Sequence, residues 1–210
     1  MSGERISISY PITSDDVFRL IEVIEQERTW HYNVKVLSAI VKMVYYVGLE
    51  KMELIKIKVG DIKFVYGEPT EVQVDNEMIE LNMNDNEART FLKEYRAYLK
   101  KKYGITRQSL LFPWKDGEPF KDSTLQKCLR SVANKARVDF DGRRLTLSKI
   151  RNVGVCRHYR LHGSLSLTAN FARCSELETR RILTNKIPSI MNPSPEEDNL
   201  EPDDNPWELK

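Results

Sequence analysis

The chain has 210 residues, 40% hydrophobic and 30% charged, a balance that fits a folded globular protein and excludes a disordered one. Its most apolar stretch, Val34 to Leu49, is interrupted by Lys35, Ser38 and Lys42, so nothing approaches the roughly 18 apolar residues that span a bilayer; Met1–Arg5 also lack the apolar segment of a secretory signal. The net charge of +2 hides a split, because seven carboxylates and one lysine from Pro193 onward leave 32 basic and 24 acidic side chains in residues 1–192. A basic body with an acidic, proline-rich end suits a nucleic-acid binder, and it equally suits a solvated surface with a disordered end.

Taken in order, Thr13 or Ser14 caps a first helix with acids in its opening turn, and Val17, Leu20, Ile21 and Ile24 fall on one face. A second helix runs from about Tyr32 to Tyr46 with Val36, Leu37, Ile40, Met43, Val44 and Val47 as its buried stripe, and Gly48 ends it. A third covers Glu50 to Ile57. The period then shortens to that of strands at 61–65, 71–74 and 78–81, with turns at Gly67-Glu68-Pro69 and Asp75-Asn76. Helical spacing returns through Ala88, Phe91, Leu92, Tyr95 and Leu99 as far as Lys100-Lys101-Lys102. Leu110-Leu111-Phe112-Pro113 is an apolar stop, after which Asp122 or Ser123 caps a helix containing Leu125, Leu129, Val132 and Ala133. Two further helices lie between Leu147 and about Leu161 and between Glu176 and Ile187.

This pattern predicts a mainly α fold with a small three-stranded antiparallel β-sheet (α+β). The organisation is an N-terminal arm (1–10), one domain (11–188) and an acidic, disordered tail (189–210). Cys128, Cys156 and Cys174 are widely spaced and match no metal-ligand pattern, so they read as reduced buried thiols in a cytoplasmic protein. His31, His158 and His162 form no ligand set. Neither a metal, a cofactor nor a small-molecule substrate is indicated.

Four short strings in this order resemble the catalytic domain of the tyrosine recombinase, or phage integrase, family. Val47-Gly48-Leu49-Glu50-Lys51-Met52-Glu53-Leu54 is similar to its T-G-L-R-x-x-E-L box, with Asp61-Ile62 at the family's distance. Leu111-Phe112-Pro113, Pro119-Phe120 and Ser123-Thr124-Leu125 resemble its L-F-P…P-L-x-x-S-T segment. Leu145 to Arg151 lie on its L-T-P-H-x-L-R box, and Thr179 to Thr184 on the end segment T-x-x-x-Y-T. The resemblance covers Pro11 to Ile187.

Family members cut DNA with a tyrosine hydroxyl that attacks a phosphodiester, which requires fixed cations and donors around the phosphate. Carried over by position, the resemblance puts Glu50 at the first arginine, no lysine at the strand turn Asp75-Asn76-Glu77, and Ser148 at the histidine of the H-x-x-R box. It keeps Arg151, puts Arg173 near the later histidine, and puts Leu183 at the nucleophile. The last tyrosine of the chain is Tyr159. The resemblance therefore implies a protein without strand-cleavage chemistry, in which Glu50 and Arg151 face one pocket and neutralise each other; the alternative is that Glu50 points to solvent.

For DNA, it implies that Lys121, Ser123, Thr124, Gln126 and Lys127 face base edges. Arg143, Arg144, Lys149, Arg151, Arg157 and Arg160 are candidates for phosphate contacts. The plain alternative for Lys121 to Lys127 is the polar face of an ordinary helix. The expected partner is double-stranded DNA, with a recombinase or a second copy of the chain beside it. With about ten residues before the first helix, no separate core-binding domain is expected, and the grip on DNA would be open on one side. The competing reading is a protein-interaction scaffold that reuses the fold without DNA.

Overall fold

The computed structural model describes residues 12–27, 33–75, 77–81, 86–114, 117–138 and 145–186. The expectations for Arg143, Arg144, His31, the N-terminal arm and the acidic tail fall outside these residues.

Helix α1 (Ser14–Gln26) starts where expected. Thr13 and Asp16 satisfy each other's backbone N–H groups in a capping box, and Val17, Leu20, Ile21 and Ile24 are its buried residues. Helix α2 (Val34–Val47) is capped by Asn33 and buries eleven of its fourteen residues, which makes it the central rod of the domain. Gly48 ends it at φ 72°, a conformation that favours glycine. Helix α3 (Lys51–Leu54) is a single turn, shorter than the sequence spacing suggested. A 3-10 turn at Val59–Asp61 redirects the chain into the sheet.

Strands β1 (Ile62–Val65), β2 (Glu68–Val74) and β3 (Glu77–Glu80) form an antiparallel meander in the order β1-β2-β3. The first turn is tighter than expected. Tyr66 and Gly67, both at positive φ, make a two-residue hairpin loop, and Glu68 and Pro69 belong to the strand. Pro69 is accommodated because it sits opposite Phe64, where the register shifts, a place where a missing N–H costs little.

Helices α4 (Asn86–Tyr103), α5 (Asp122–Lys135), α6 (Leu147–His162), α7 (Leu165–Ala172) and α8 (Glu176–Lys186) complete the fold. Lys121, not Asp122 or Ser123, is the N-cap residue of α5, and its side chain makes no cap hydrogen bond. Helix α7 was not anticipated; Ser164 caps it by accepting from the Leu167 N–H. Helix α2 packs against α1, α4 and α6. The α2–α6 crossing is close because α6 carries Gly154, where an added Cβ would lie 2.3 Å from the Tyr45 carbonyl oxygen. A second small core of Val155, Cys156, Ala172 and Leu183 joins α6, α7 and α8.

Candidate nucleic-acid interface

Three chain reversals meet at the C-terminal end of α2. Gly48 turns the chain out of the helix, and Glu50 opens α3 while the Glu53 carboxylate accepts the Glu50 N–H. One turn into α6, Arg151 reaches back and donates from Nε to the Gly48 carbonyl at 2.9 Å. Its Nη2 donates to the Ala172 carbonyl at the end of α7 and lies 3.2 Å from Glu50 Oε1. Arg173 caps α7 in a left-handed conformation, φ 46°, which turns its side chain onto the same carbonyl: Nη2 donates to Gly48 O at 2.8 Å.

Arg173 is also held in two-pronged fashion by Glu53, Nε to Oε1 at 3.1 Å and Nη2 to Oε2 at 2.6 Å. Its Nη1 reaches the Phe171 carbonyl at 3.4 Å, so four of its five N–H groups are engaged. The Arg173 and Glu53 side chains are 10% and 16% exposed, whereas Glu50 is 57% exposed.

The pair expected between Glu50 and Arg151 thus forms, through a largely solvated carboxylate. The tighter pair, Glu53–Arg173, was missed. Its signal was the Glu50-x-x-Glu53 spacing, which places both carboxylates on one turn. Two guanidiniums, two carboxylates and one shared carbonyl make a neutral cluster in which Arg173 has four of its five N–H groups engaged and Arg151 is held through Nε and Nη2, whereas holding a phosphodiester needs donors left unspent.

The other mapped positions lie around this cluster without joining it. Ser148 is exposed on α6. Leu183 is fully buried against Val155, Cys156 and Ala172, adjacent to the cluster because Ala172 supplies a carbonyl to Arg151. Asp75, at the strand turn, is at φ 49° and lines a cleft of about 210 Å³ with Glu53, Lys56, Asp61 and Gln73. No grouping of three or more His, Cys, Asp or Glu among the described residues can hold a metal ion. No helix among them is long and apolar enough to cross a membrane.

Helix α5 stretches away from the cluster. At its start the Asp122 carboxylate lies 3.2 Å from Lys51 Nζ, on the first residue of α3. At its end Lys135 pairs with Glu27, just past α1. Leu125, Cys128, Leu129, Val132 and Ala133 face the core. Lys121, Ser123 and Lys127 are exposed, and Thr124 and Gln126 half-buried. Arg130, exposed and one turn beyond Gln126 and Lys127 on the same side, extends this polar row. Arg130 is not among the positions expected from the resemblance, although the helical period reaches it.

The α6 cations differ among themselves. Lys149 is half-buried and Arg160 exposed in the last turn. The Arg157 guanidinium lies 4.9 Å over the Tyr46 ring and 3.9 Å from Glu87, a cation held by an aromatic face and a carboxylate.

Neither the protein-family models nor the curated proteins contain a match to this chain. Solved structures do match in fold. The crystal structure of XerA recombinase aligns over 87% of this chain and 61% of its own, with 19% identity and TM-score 0.64. XerH site-specific recombinase bound to difH substrate aligns over 83% of this chain and 50% of its own, at 18% identity and TM-score 0.62. The lambda integrase catalytic core aligns over 78% of this chain and 93% of its own, at 16% identity and TM-score 0.54. The chain thus spans 61% and 50% of the two Xer chains. The helical body, the antiparallel meander after α3 and these alignments agree: the chain has the fold of a tyrosine-recombinase catalytic domain.

Proposed function

We propose that the protein binds double-stranded DNA through this fold and does not cleave it. The observation that carries the reading is the neutral cluster. Glu50 and Glu53 take up Arg151 and Arg173 where the resemblance expects phosphate-holding cations, and an apolar, buried Leu183 stands where it expects the nucleophile. A transition state that gathers negative charge needs unspent donors around it. What supports the DNA half is the exposed row on α5, Lys121, Ser123, Lys127 and Arg130, with Gln126 beside it, in a body whose charge is basic. Gln126 carries the donor and acceptor that pair with adenine, and the cations supply sequence-independent affinity. XerH and lambda integrase have been captured on DNA; for this chain, a role beside an active recombinase, or as a second copy on the same duplex, extends the proposal.

Two assays test it. On nicked suicide duplexes the protein should leave no covalent complex on a denaturing gel; an adduct would sink the claim of lost cleavage. In salt-titrated anisotropy on mixed duplexes, Lys127→Glu with Arg130→Glu should weaken binding to all sequences alike. Gln126→Ala should flatten the preference seen when sequences are selected from a random pool.

One observation favours the protein-interaction scaffold as the second reading. From Tyr66 to Ala88 the chain has seven acidic residues and no basic one, so this segment offers a phosphate backbone no cation of its own, and Glu68, Glu71 and Glu87 occupy cations from elsewhere in the fold. No duplex binding at low salt would decide for that reading.

A further inference from the structure

After the mixed stretch 89–94 the acidic run gives way to its opposite: from Tyr95 to Lys115 there are six basic residues and no acidic one. The fold gathers part of this run at the end of α4 and adds to it from elsewhere. Lys100, Lys101 and Lys102 are exposed in the last turn of α4. Exposed Arg107 follows in the next loop, and its carbonyl accepts the Gly60 N–H at 2.8 Å. That approach requires glycine at position 60, since a Cβ there would lie 2.7 Å from the same oxygen. Lys58, paired across a β-bridge with Leu110, donates from Nζ to Gln108 Oε1 at 3.1 Å.

Lys102 is held in position. Its ammonium donates to the Tyr98 hydroxyl at 2.9 Å and lies 5.5 Å from the Tyr98 ring centroid and 5.2 Å from that of Tyr103. Tyr98 donates to Asn33 Oδ1 at 2.9 Å, and Asn33 Nδ2 donates to the Tyr103 hydroxyl at 2.6 Å. The hydrogen bond to Tyr98 raises the Lys102 pKa, so the charge persists at any physiological pH.

These cations differ from several lysines elsewhere on the surface. Lys42, Lys51, Lys63, Lys93 and Lys135 each pair with a carboxylate. Lys58, Lys100, Lys101, Lys102 and Arg107 form no ion pair with a described residue. Lysines in the last turn complement a helix dipole. That accounts for the turn of α4 but not for exposed Arg107, four residues beyond Tyr103, or for Lys58, held beside the same loop through Gln108. Asn33, which organises the tyrosines, is the N-cap of α2, while the neutral cluster sits at that helix's other end. Fourteen residues separate them, or about 20 Å at 1.5 Å per residue.

We propose that this end of α4 is a second polyanion-binding surface, one that grips the sugar-phosphate backbone of duplex DNA away from the α5 footprint. It rests on the DNA-binding reading only for the identity of the polyanion.

The test is fluorescence anisotropy on a labelled 30-base-pair duplex of mixed sequence across a salt series, with wild type, Lys100→Glu/Lys101→Glu and Lys127→Glu/Arg130→Glu. All four positions are exposed, and circular dichroism checks the fold; Lys100→Gln/Lys101→Gln serves if reversal perturbs it. The α4 variant should lower the slope of log affinity against log salt by about 2, since each phosphate contact contributes about 0.9. The loss of affinity between 50 and 200 mM salt should then shrink about ten-fold. Equal slopes for wild type and the α4 variant, with binding abolished by the α5 variant, would overturn this proposal and leave the DNA reading standing. The converse result would keep this surface and overturn the role of α5. Reduced retention on heparin with unchanged duplex affinity would assign the patch to another polyanion and also overturn it.

Discussion

Glu53 should matter to this protein far more than Glu50, although both face an arginine. Glu53→Ala removes the two-pronged partner of Arg173 in a site where both side chains are largely buried, and removing one partner of a buried pair costs about 3–5 kcal/mol. The carbonyls of Gly48 and Phe171 still accept from Arg173, which pulls the expected cost to the lower end, about 3 kcal/mol. Glu50→Ala removes a contact whose carboxylate is 57% exposed, so solvent screening limits its cost to about 0–1 kcal/mol. Urea unfolding followed by circular dichroism measures both, and for a domain of this size about 3 kcal/mol corresponds to about 10 °C in melting temperature. Adding Arg173→Met to Glu53→Ala should restore part of the loss, because an unpaired buried charge is then absent. If the two single variants unfold within about 0.5 kcal/mol of each other, the Glu53–Arg173 pair is not a buried structural element, and the argument that its donors are spent fails with it.

Leu183→Tyr should give no covalent adduct on suicide DNA, alone or with Glu50→Arg. Because Leu183 is fully buried, the larger ring should cost about 1–3 kcal/mol by overpacking; an adduct would refute the reading of the cluster. Gly154→Ala should destabilise by about 3 kcal/mol or more, since its Cβ would lie 2.3 Å from the Tyr45 carbonyl and two helix backbones must part. A neutral Gly154→Ala in thermal melts would show that α2 and α6 separate freely. Burial works to raise the Glu25 pKa, but hydrogen bonds from Lys42 and Ser38 outweigh it and hold the carboxyl below its ordinary 4.5. The stabilisation is therefore present above about pH 4.5 and lost as pH falls through the depressed value. Glu25→Gln should flatten the acid limb of a stability–pH profile, and an unchanged limb would count against the contact.

The elements legible in the sequence were those with a strong period and a cap. Thr13 with Asp16, Gly48 after an apolar stripe, and alternation in the three strands each have a local cause that residue types report. Helix α7 was missed because eight residues give barely two turns of period, and its Ser164 cap follows Gly163 in what looks like a loop. Glu68 and Pro69 read as a turn on composition, yet Tyr66 took the positive-φ position and pairing with β1 drew both into the strand. At the site, the sequence could place Glu50 opposite Arg151 through one short box. It could not show that Arg173, 120 residues from Glu53, would turn through a left-handed cap onto the same carbonyl. Long-range charge pairing leaves no periodic trace, whereas the row on α5 does, and Arg130 lies on that period.

The single carbonyl of Gly48 that receives both guanidiniums makes the arrangement a ratchet. A cation placed at position 50 would stand beside Arg151 with the carbonyl already shared and its neutralising carboxylate gone. A ring at position 183 would press into the second core, and freeing Arg173 would strand a buried charge. Each step toward a phosphate-holding arrangement, taken singly, passes through a less stable protein, because contacts that share partners do not contribute additively. On the proposed reading the fold is itself a barrier: its exposed surfaces can change freely, while positions 50, 173 and 183 cannot.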